Sequence, residues 1–242
     1  MAEAHSLAPL PEDWHRALAV VAHPDDLEYG AASAVARWTA QGKQISYLLV
    51  TRGEAGIDAM PPEVTGPRRE EEQRQSAKIV GVDTVEFLDY RDGVVEYGLP
   101  LRRDITRAIR RQRPEILITI NEHLTWPHGA LNMADHRWVA LAVLDAARDA
   151  ANRWIFPELL SAGLEPWNGV RLICLNDSPQ ATHAVDVSAF LERGVTSLLQ
   201  HRTYLEHLSQ DFDSVAMLRH NAMQTGQRCG CEYAVSFEVI HL

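Results

Sequence analysis

Short apolar runs alternate with helix-length amphipathic segments along most of this chain, and that alternation narrows the architectures open to it. The runs are Ala17–Val21, Ile45–Val50, Thr84–Leu88, Glu115–Ile120 and Arg171–Leu175. Between and after them, helical spacing covers Leu27–Gln41, Arg68–Val80, Leu101–Arg111 and Asp135–Ala150. Buried strands joined by helices predict an α/β fold, a mostly parallel sheet with helices on both faces. Gly42 and Gly81 stand where the first two helices should stop, and Pro114 precedes the fourth strand. The proline-rich stretch 57–67 reads as a loop, and 154–167 as irregular structure. Val185–Leu208 reads as helical and Tyr233–Ile240 as a last strand. With no repeat or low-complexity linker in 242 residues, a single domain over 17–242 is expected, preceded by an N-terminal extension, 1–16.

Composition excludes several classes. The formal net charge is −10 and no Lys/Arg block exceeds a pair, so a phosphate backbone would be repelled and no nucleic-acid partner is expected. No apolar run approaches a bilayer span, and the polar start lacks the features of a signal peptide, so no membrane partner is expected. Cys174, Cys229 and Cys231 are too few and too unevenly spaced for a disulfide framework, which makes the cytoplasm the expected compartment.

The chemistry concentrates in Ala22-His23-Pro24-Asp25-Asp26-Leu27-Glu28, directly after the first strand. Open α/β sheets bind ligands outside the carboxyl ends of their strands. His23 and Asp26, three residues apart, can face one divalent ion while Asp25 stays free as a base. The same residues also fit a solvated turn that caps a helix. A metal needs a further ligand, and His136, at the start of the helix after the fourth strand, supplies the best candidate. A His-Asp-His set leaves positions open for water, the pattern of catalytic zinc. Asp135 beside it fits a helix cap or an orienter of a neighbouring imidazole. His123 and His128 lie in the loop leading to His136 and are candidates for the pocket lining. Glu28 reads as a support for the turn or as a first-turn carboxylate favoured by the helix dipole. A nucleotide-binding module fits poorly, because the first turn lacks G-x-G-x-x-G and its carboxylates would repel a pyrophosphate.

These residues resemble the LmbE-like, or PIG-L, family of metal-dependent de-N-acetylases of N-acetylglucosaminyl compounds. Ala22–Glu28 matches the A-H-P-D-D-x-E signature residue for residue. Leu49–Gly56, Arg69–Gly81, Phe87-Leu88, Asp92-Gly93, Gln200-His201-Arg202 and Tyr233-Ala234 with Phe237 are similar to its further blocks. The resemblance implies a Rossmann-like form of the sheet. It also implies zinc, or ferrous iron, on His23, Asp26 and His136, with Asp25 as general base. Arg68 or Arg69, and Asp92, then contact the sugar. The implied substrate is a small N-acetylated amino sugar or related amide, and homo-oligomers are common among relatives. An amidase of a larger thiol-conjugated or antibiotic-like amide, or a metal- and sugar-binding protein with weakened catalysis, are the alternatives. One position departs: the family usually reads H-x-D-H before the helix, and here Met133 replaces the first imidazole. A thioether cannot return a proton to a leaving amine. His123 or His128 taking that role, Asp25 both taking and returning the proton, or weakened activity are the open accounts. Asp25, Asp135 and His128 form the expected catalytic group, and Arg68, Arg69, Asp92 and His123 the expected substrate contacts.

Overall fold

A computed structural model describes residues 6–209 and 212–242. In chain order the elements are β1 (Ala8–Pro9), β2 (Arg16–Val21), α1 (Asp26–Gly30), α2 (Ala32–Ala40), β3 (Gln44–Leu49), α3 (Pro62–Ile79), β4 (Thr84–Phe87), α4 (Leu99–Gln112) and β5 (Ile116–Ile120). There follow α5 (Ala134–Ala151), α6 (Glu158–Ser161), β6 (Leu172–Asn176), β7 (His183–Asp186), α7 (Leu191–Leu198), α8 (Arg202–Glu206), α9 (Ser214–Cys229) and β8 (Ala234–His241). The strands form one sheet in the order β1-β7-β8-β6-β5-β2-β3-β4. Every pairing is parallel except those of β8, which runs antiparallel to both β6 and β7.

The central strands read as unbroken apolar runs because both their faces are covered. On one face Ala19, Val21, Tyr47, Leu49 and Ile118 pack with Val35 and Trp38 of α2 and Ala77 of α3. On the other, Leu18, Val20, Leu48 and Leu117 pack with Leu101 and Ile105 of α4 and Val139 and Val143 of α5. The chain winds one way through β2, β3 and β4, then returns to place β5 on the other side of β2. That reversal between β2 and β5 is the switch point at which such sheets open a crevice for ligands.

Several local expectations are corrected. The stretch 57–67 is a loop only to Pro61, since Pro62 begins α3; a proline in the first turn surrenders an N–H that has no partner there anyway. Val185 lies in β7 rather than in a helix, hydrogen-bonded beside β8, and helical structure begins only at Leu191. The helix expected over Leu27–Gln41 is broken at Ala31, where φ is −132°. Within the segment assigned to an N-terminal extension, residues 1–5 lie outside the described part. Ala8–Pro9 of that segment forms the outermost strand beside β7, and Leu10 and Trp14 are buried. Among the described residues no helix is long and apolar enough to cross a membrane.

Candidate metal centre

The turn after β2 folds back on itself through Asp26. Its Oδ2 accepts the backbone N–H groups of Ala22 (3.0 Å) and His23 (2.8 Å), as an aspartate at a helix start does. Asp26 Oδ1 is thereby left facing the crevice, 3.1 Å from His136 Nε2 and 3.7 Å from His23 Nδ1. The two imidazole nitrogens are themselves 3.1 Å apart. All three residues are buried.

The surrounding contacts decide which of these nitrogens carry protons. Asn132 Nδ2 donates to the carbonyls of Asn121 (3.0 Å) and His123 (3.1 Å), so its Oδ1 is the atom that faces His136 Nδ1, at 3.0 Å. That oxygen can only accept, so His136 Nδ1 is the donor and its Nε2 presents a lone pair. His23 Nε2 lies 3.0 Å from Asp92 Oδ1 and 3.3 Å from Asp135 Oδ2, so it too is a donor. In the neutral ring His23 Nδ1 then presents its lone pair. Two lone pairs and a carboxylate oxygen converge on one point with no proton between them, an arrangement that calls for a cation. Burial by itself would lower the basicity of His23, but Asp26, Asp135 and Asp92 outweigh it and raise its pKa well above the usual imidazole value. Burial likewise would raise Asp26, yet His136 and His23 hold its carboxyl below the ordinary range. The donor set, two imidazoles and one carboxylate, fits zinc with open positions left for water and substrate.

Asp25 stands beside this set in a left-handed conformation, φ 87°, which is costly for a residue with a Cβ. Its backbone N–H donates to Gln73 Oε1 at 3.0 Å. Arg69 Nη2 donates to the carbonyl of Pro24 at 2.6 Å and lies 3.3 Å from Asp25 Oδ2. Burial, offset only in part by Arg69, pushes the Asp25 carboxyl up to about 6.

Other candidates take different places. Asp135 accepts from the backbone N–H groups of Gly93 (2.7 Å) and Val95 (3.1 Å) as well as from His23, the position of an orienter. Asp92 accepts from Ala55 N at 2.8 Å and faces the same His23 nitrogen. Arg69 is buried, stacked 4.3 Å from the Tyr204 ring centroid, while Arg68 is exposed. His123 Nε2 is hydrogen-bonded to Glu238 Oε2 at 2.8 Å. Glu122 completes a second cluster with that pair, separate from the one formed by His23, Asp26 and His136. His128 is exposed in the turn that follows Trp126. Met133 is 51% exposed at the N-cap of α5. Glu28 is buried, accepting from Gln73 Nε2 (2.9 Å) and Ser76 Oγ (2.6 Å), with His201 Nε2 3.4 Å away.

Gln73 and Asn132 were not among the expected site residues. Asn132 could have been found from its spacing, four residues before His136. Gln73, in the middle of a polar helix, carries no such signal.

With this geometry in hand, the chain can be set beside known proteins. The family profile described as PIG-L, GlcNAc-PI de-N-acetylase, matches residues 18–147. A diacetylchitobiose deacetylase from Thermococcus kodakarensis is 28% identical over 228 residues, which cover 92% of this chain and 82% of that protein. A 1D-myo-inositol 2-acetamido-2-deoxy-alpha-D-glucopyranoside deacetylase from Streptomyces scabiei is 29% identical over 188 residues, 66% of this chain but only 55% of that protein. Among solved structures, N,N'-diacetylchitobiose deacetylase from Pyrococcus horikoshii matches with a TM-score of 0.86. That match covers 95% of this chain and 85% of the other at 23% identity, a likeness of fold.

Proposed function

The chain belongs to the PIG-L family of GlcNAc-PI de-N-acetylases, and on that premise we propose that it is a metal-dependent hydrolase. Its reaction removes the acetyl group from a small N-acetylated amino sugar, releasing acetate and an amine. The observation that carries this reading is the convergence of His23 Nδ1, Asp26 Oδ1 and His136 Nε2 as unprotonated donors, with the free carboxylate Asp25 adjacent. The relatives are deacetylases of diacetylchitobiose and of an inositol-linked acetamido sugar, which supports the substrate class.

Zinc is the metal we assign to the three ligands, and ferrous iron accepts the same two imidazoles and a carboxylate. When bound, such a cation supplies Lewis acidity, polarising the acetyl carbonyl and making a water easier to deprotonate. The protein's own groups do the rest. Asp25 takes a proton from the attacking water; a carboxyl lifted to about 6 is a stronger base than an ordinary aspartate and is still mostly ionised at neutral pH. Arg69 fixes the turn that aims Asp25 by tying the Pro24 carbonyl to α3. Asp92 and Asp135 keep the His23 proton on Nε2 and so leave Nδ1 for the metal.

The test is acetate release from N,N'-diacetylchitobiose and other N-acetyl sugars, with metal content measured in parallel. Wild type should hold about one metal per chain and release acetate, whereas Asp25→Asn should keep the metal and lose roughly 10²–10⁴-fold in kcat. Full turnover by Asp25→Asn would remove Asp25 from the role. Absence of acetate from every N-acetyl sugar with metal bound would overturn the substrate class.

A further inference from the structure

Cys229-Gly230-Cys231 takes no part in the metal centre, yet the fold brings its two thiols together. Cys229 is the last residue of α9, and Cys231 lies in the short link to β8. Their sulfurs stand 3.6 Å apart, in van der Waals contact. We propose that Cys229 and Cys231 are a reversible dithiol–disulfide pair, a site of oxidation by small disulfides such as oxidised glutathione. The pair is independent of the metal and of the deacetylase reading.

Nearness in sequence does not by itself bring the sulfurs together. Side chains two residues apart do not face each other on a helix, so α9 has to end between the cysteines. Gly230 ends it in a left-handed conformation, φ 77° and ψ 27°, with its N–H donating to the Gly226 carbonyl. The Cys231 N–H donates to the same carbonyl at 3.1 Å, which turns the chain back over the last turn of the helix. Gly226 permits that return. A Cβ there would stand 2.6 Å from the Glu232 carbonyl oxygen and 2.7 Å from that of Cys231. Glycine is disfavoured inside a helix, and here its bare backbone is what the returning chain lies against.

Each thiol has its own backbone acceptor. Cys229 Sγ donates to the Thr225 carbonyl at 3.2 Å, and Cys231 Sγ donates to the Tyr233 carbonyl at 3.4 Å. The sulfur contact therefore follows from the backbone turn and needs no hydrogen bond between the thiols. Both side chains are half-buried against Leu7, Ala184 and Ala234, while Gly230 between them is exposed with open space around it. A small disulfide can approach from that side, and rotation of the two side chains there closes the gap to the roughly 2.05 Å of a disulfide bond. Burial, with Cys229 and Asp186 alongside, pushes the Cys231 thiol up to about 12, so the attack starts from Cys229. Cys174, the third cysteine, is wholly buried in β6 and out of reach of such a reagent.

The exchange balances as follows. Cys229 loses its proton to solvent, and its sulfur attacks one sulfur of the small disulfide. The other half leaves as a thiolate and takes up a proton. Cys231 then gives its proton to solvent, and its sulfur attacks that of Cys229. The mixed disulfide breaks and the second half leaves, again to be protonated. Two protein thiols are oxidised by two electrons, and one small disulfide is reduced to two thiols.

Reduced full-length protein treated with oxidised glutathione tests this, read by intact mass, by thiol titration after unfolding and by peptide mapping. Wild type should lose two of its three thiols and two hydrogens in mass, and retain no glutathione. The map should show Cys229 linked to Cys231 and Cys174 free, and dithiothreitol should restore all three thiols. Cys231→Ser should stop at the mixed disulfide and keep one glutathione on Cys229. Three thiols that survive in wild type, a glutathione adduct that persists on it, or a bond between two chains would each overturn the proposal.

Discussion

The backbone N–H of Asp25 donates to Gln73 Oε1 at 3.0 Å, and Gln73 Nε2 donates in turn to Glu28 Oε1 at 2.9 Å. One side chain of α3 thus clamps both ends of the turn that presents the base. It holds Asp25 at φ 87°, a conformation that costs on the order of 1–3 kcal/mol. Gln73→Leu deletes both bonds while filling similar space. The expected result is a drop in kcat of about 10²-fold with KM and zinc stoichiometry little changed, since Asp25 is mis-aimed while its neighbours still bind metal. Unaltered kcat in this variant would show that the turn holds its shape without Gln73.

Asn132 stands one hydrogen bond behind the proposed metal site. Its Oδ1 keeps the His136 proton on Nδ1. Asn132→Ala removes that constraint and should weaken zinc binding about 10- to 100-fold, as read by competition with a chromophoric chelator. Unchanged affinity would mean that packing alone, including the Trp126 ring 5.5 Å from that of His136, sets the orientation.

Gly53 is predicted to tolerate no side chain. Its φ is +62°, and an added Cβ would fall 2.3 Å from Arg69 Nη1, which donates to the Gly53 carbonyl at 3.0 Å. Gly53→Ala should therefore cost on the order of 1–3 kcal/mol in denaturant unfolding and reduce activity, because Arg69 also supports Asp25. A variant with wild-type stability would show that Arg69 can move aside freely.

Glu28 gives a pH-dependent prediction. Burial would raise its pKa, but His201, Ser76 and Gln73 outweigh burial and hold it below 4.5. The unfolded chain then binds the extra proton first, so the contribution of Glu28 is complete above about pH 4.5 and is lost as pH falls through the folded value. Glu28→Gln should destabilise the fold by about 1.5–3 kcal/mol at pH 7, the loss expected when the charged acceptor of the buried Gln73 and Ser76 hydrogen bonds is removed. The gap from wild type should shrink as the pH drops below 4. A gap that stays constant across that range would assign the effect to packing rather than charge.

The layered α/β plan and the grouping of His23, Asp26 and His136 were legible in the sequence because their causes are local. Strand and helix periods show which segments are buried, and the turn after β2 holds His23, Asp25 and Asp26 within four residues. His136 follows from the rule that strand ends share one edge of the sheet. Local pattern misled where two meanings overlap. The prolines at 61, 62 and 67 signal a break, yet two of them sit inside α3, and Val185, read as the start of a helix, belongs to a strand. Only the tertiary structure decided which partners meet around the site. Gln73 reaches Asp25 across 48 residues, Asn121 reaches Asp177 across 56, and His123 is taken by Glu238 across 115. Each contact depends on the order β6-β5-β2-β3 in the sheet and on the helix laid over it. A periodic pattern tells a side chain which face it occupies. The hydrogen bonds that set a proton on one nitrogen, or leave a carboxylate without a cation, arise only when distant faces are brought into contact.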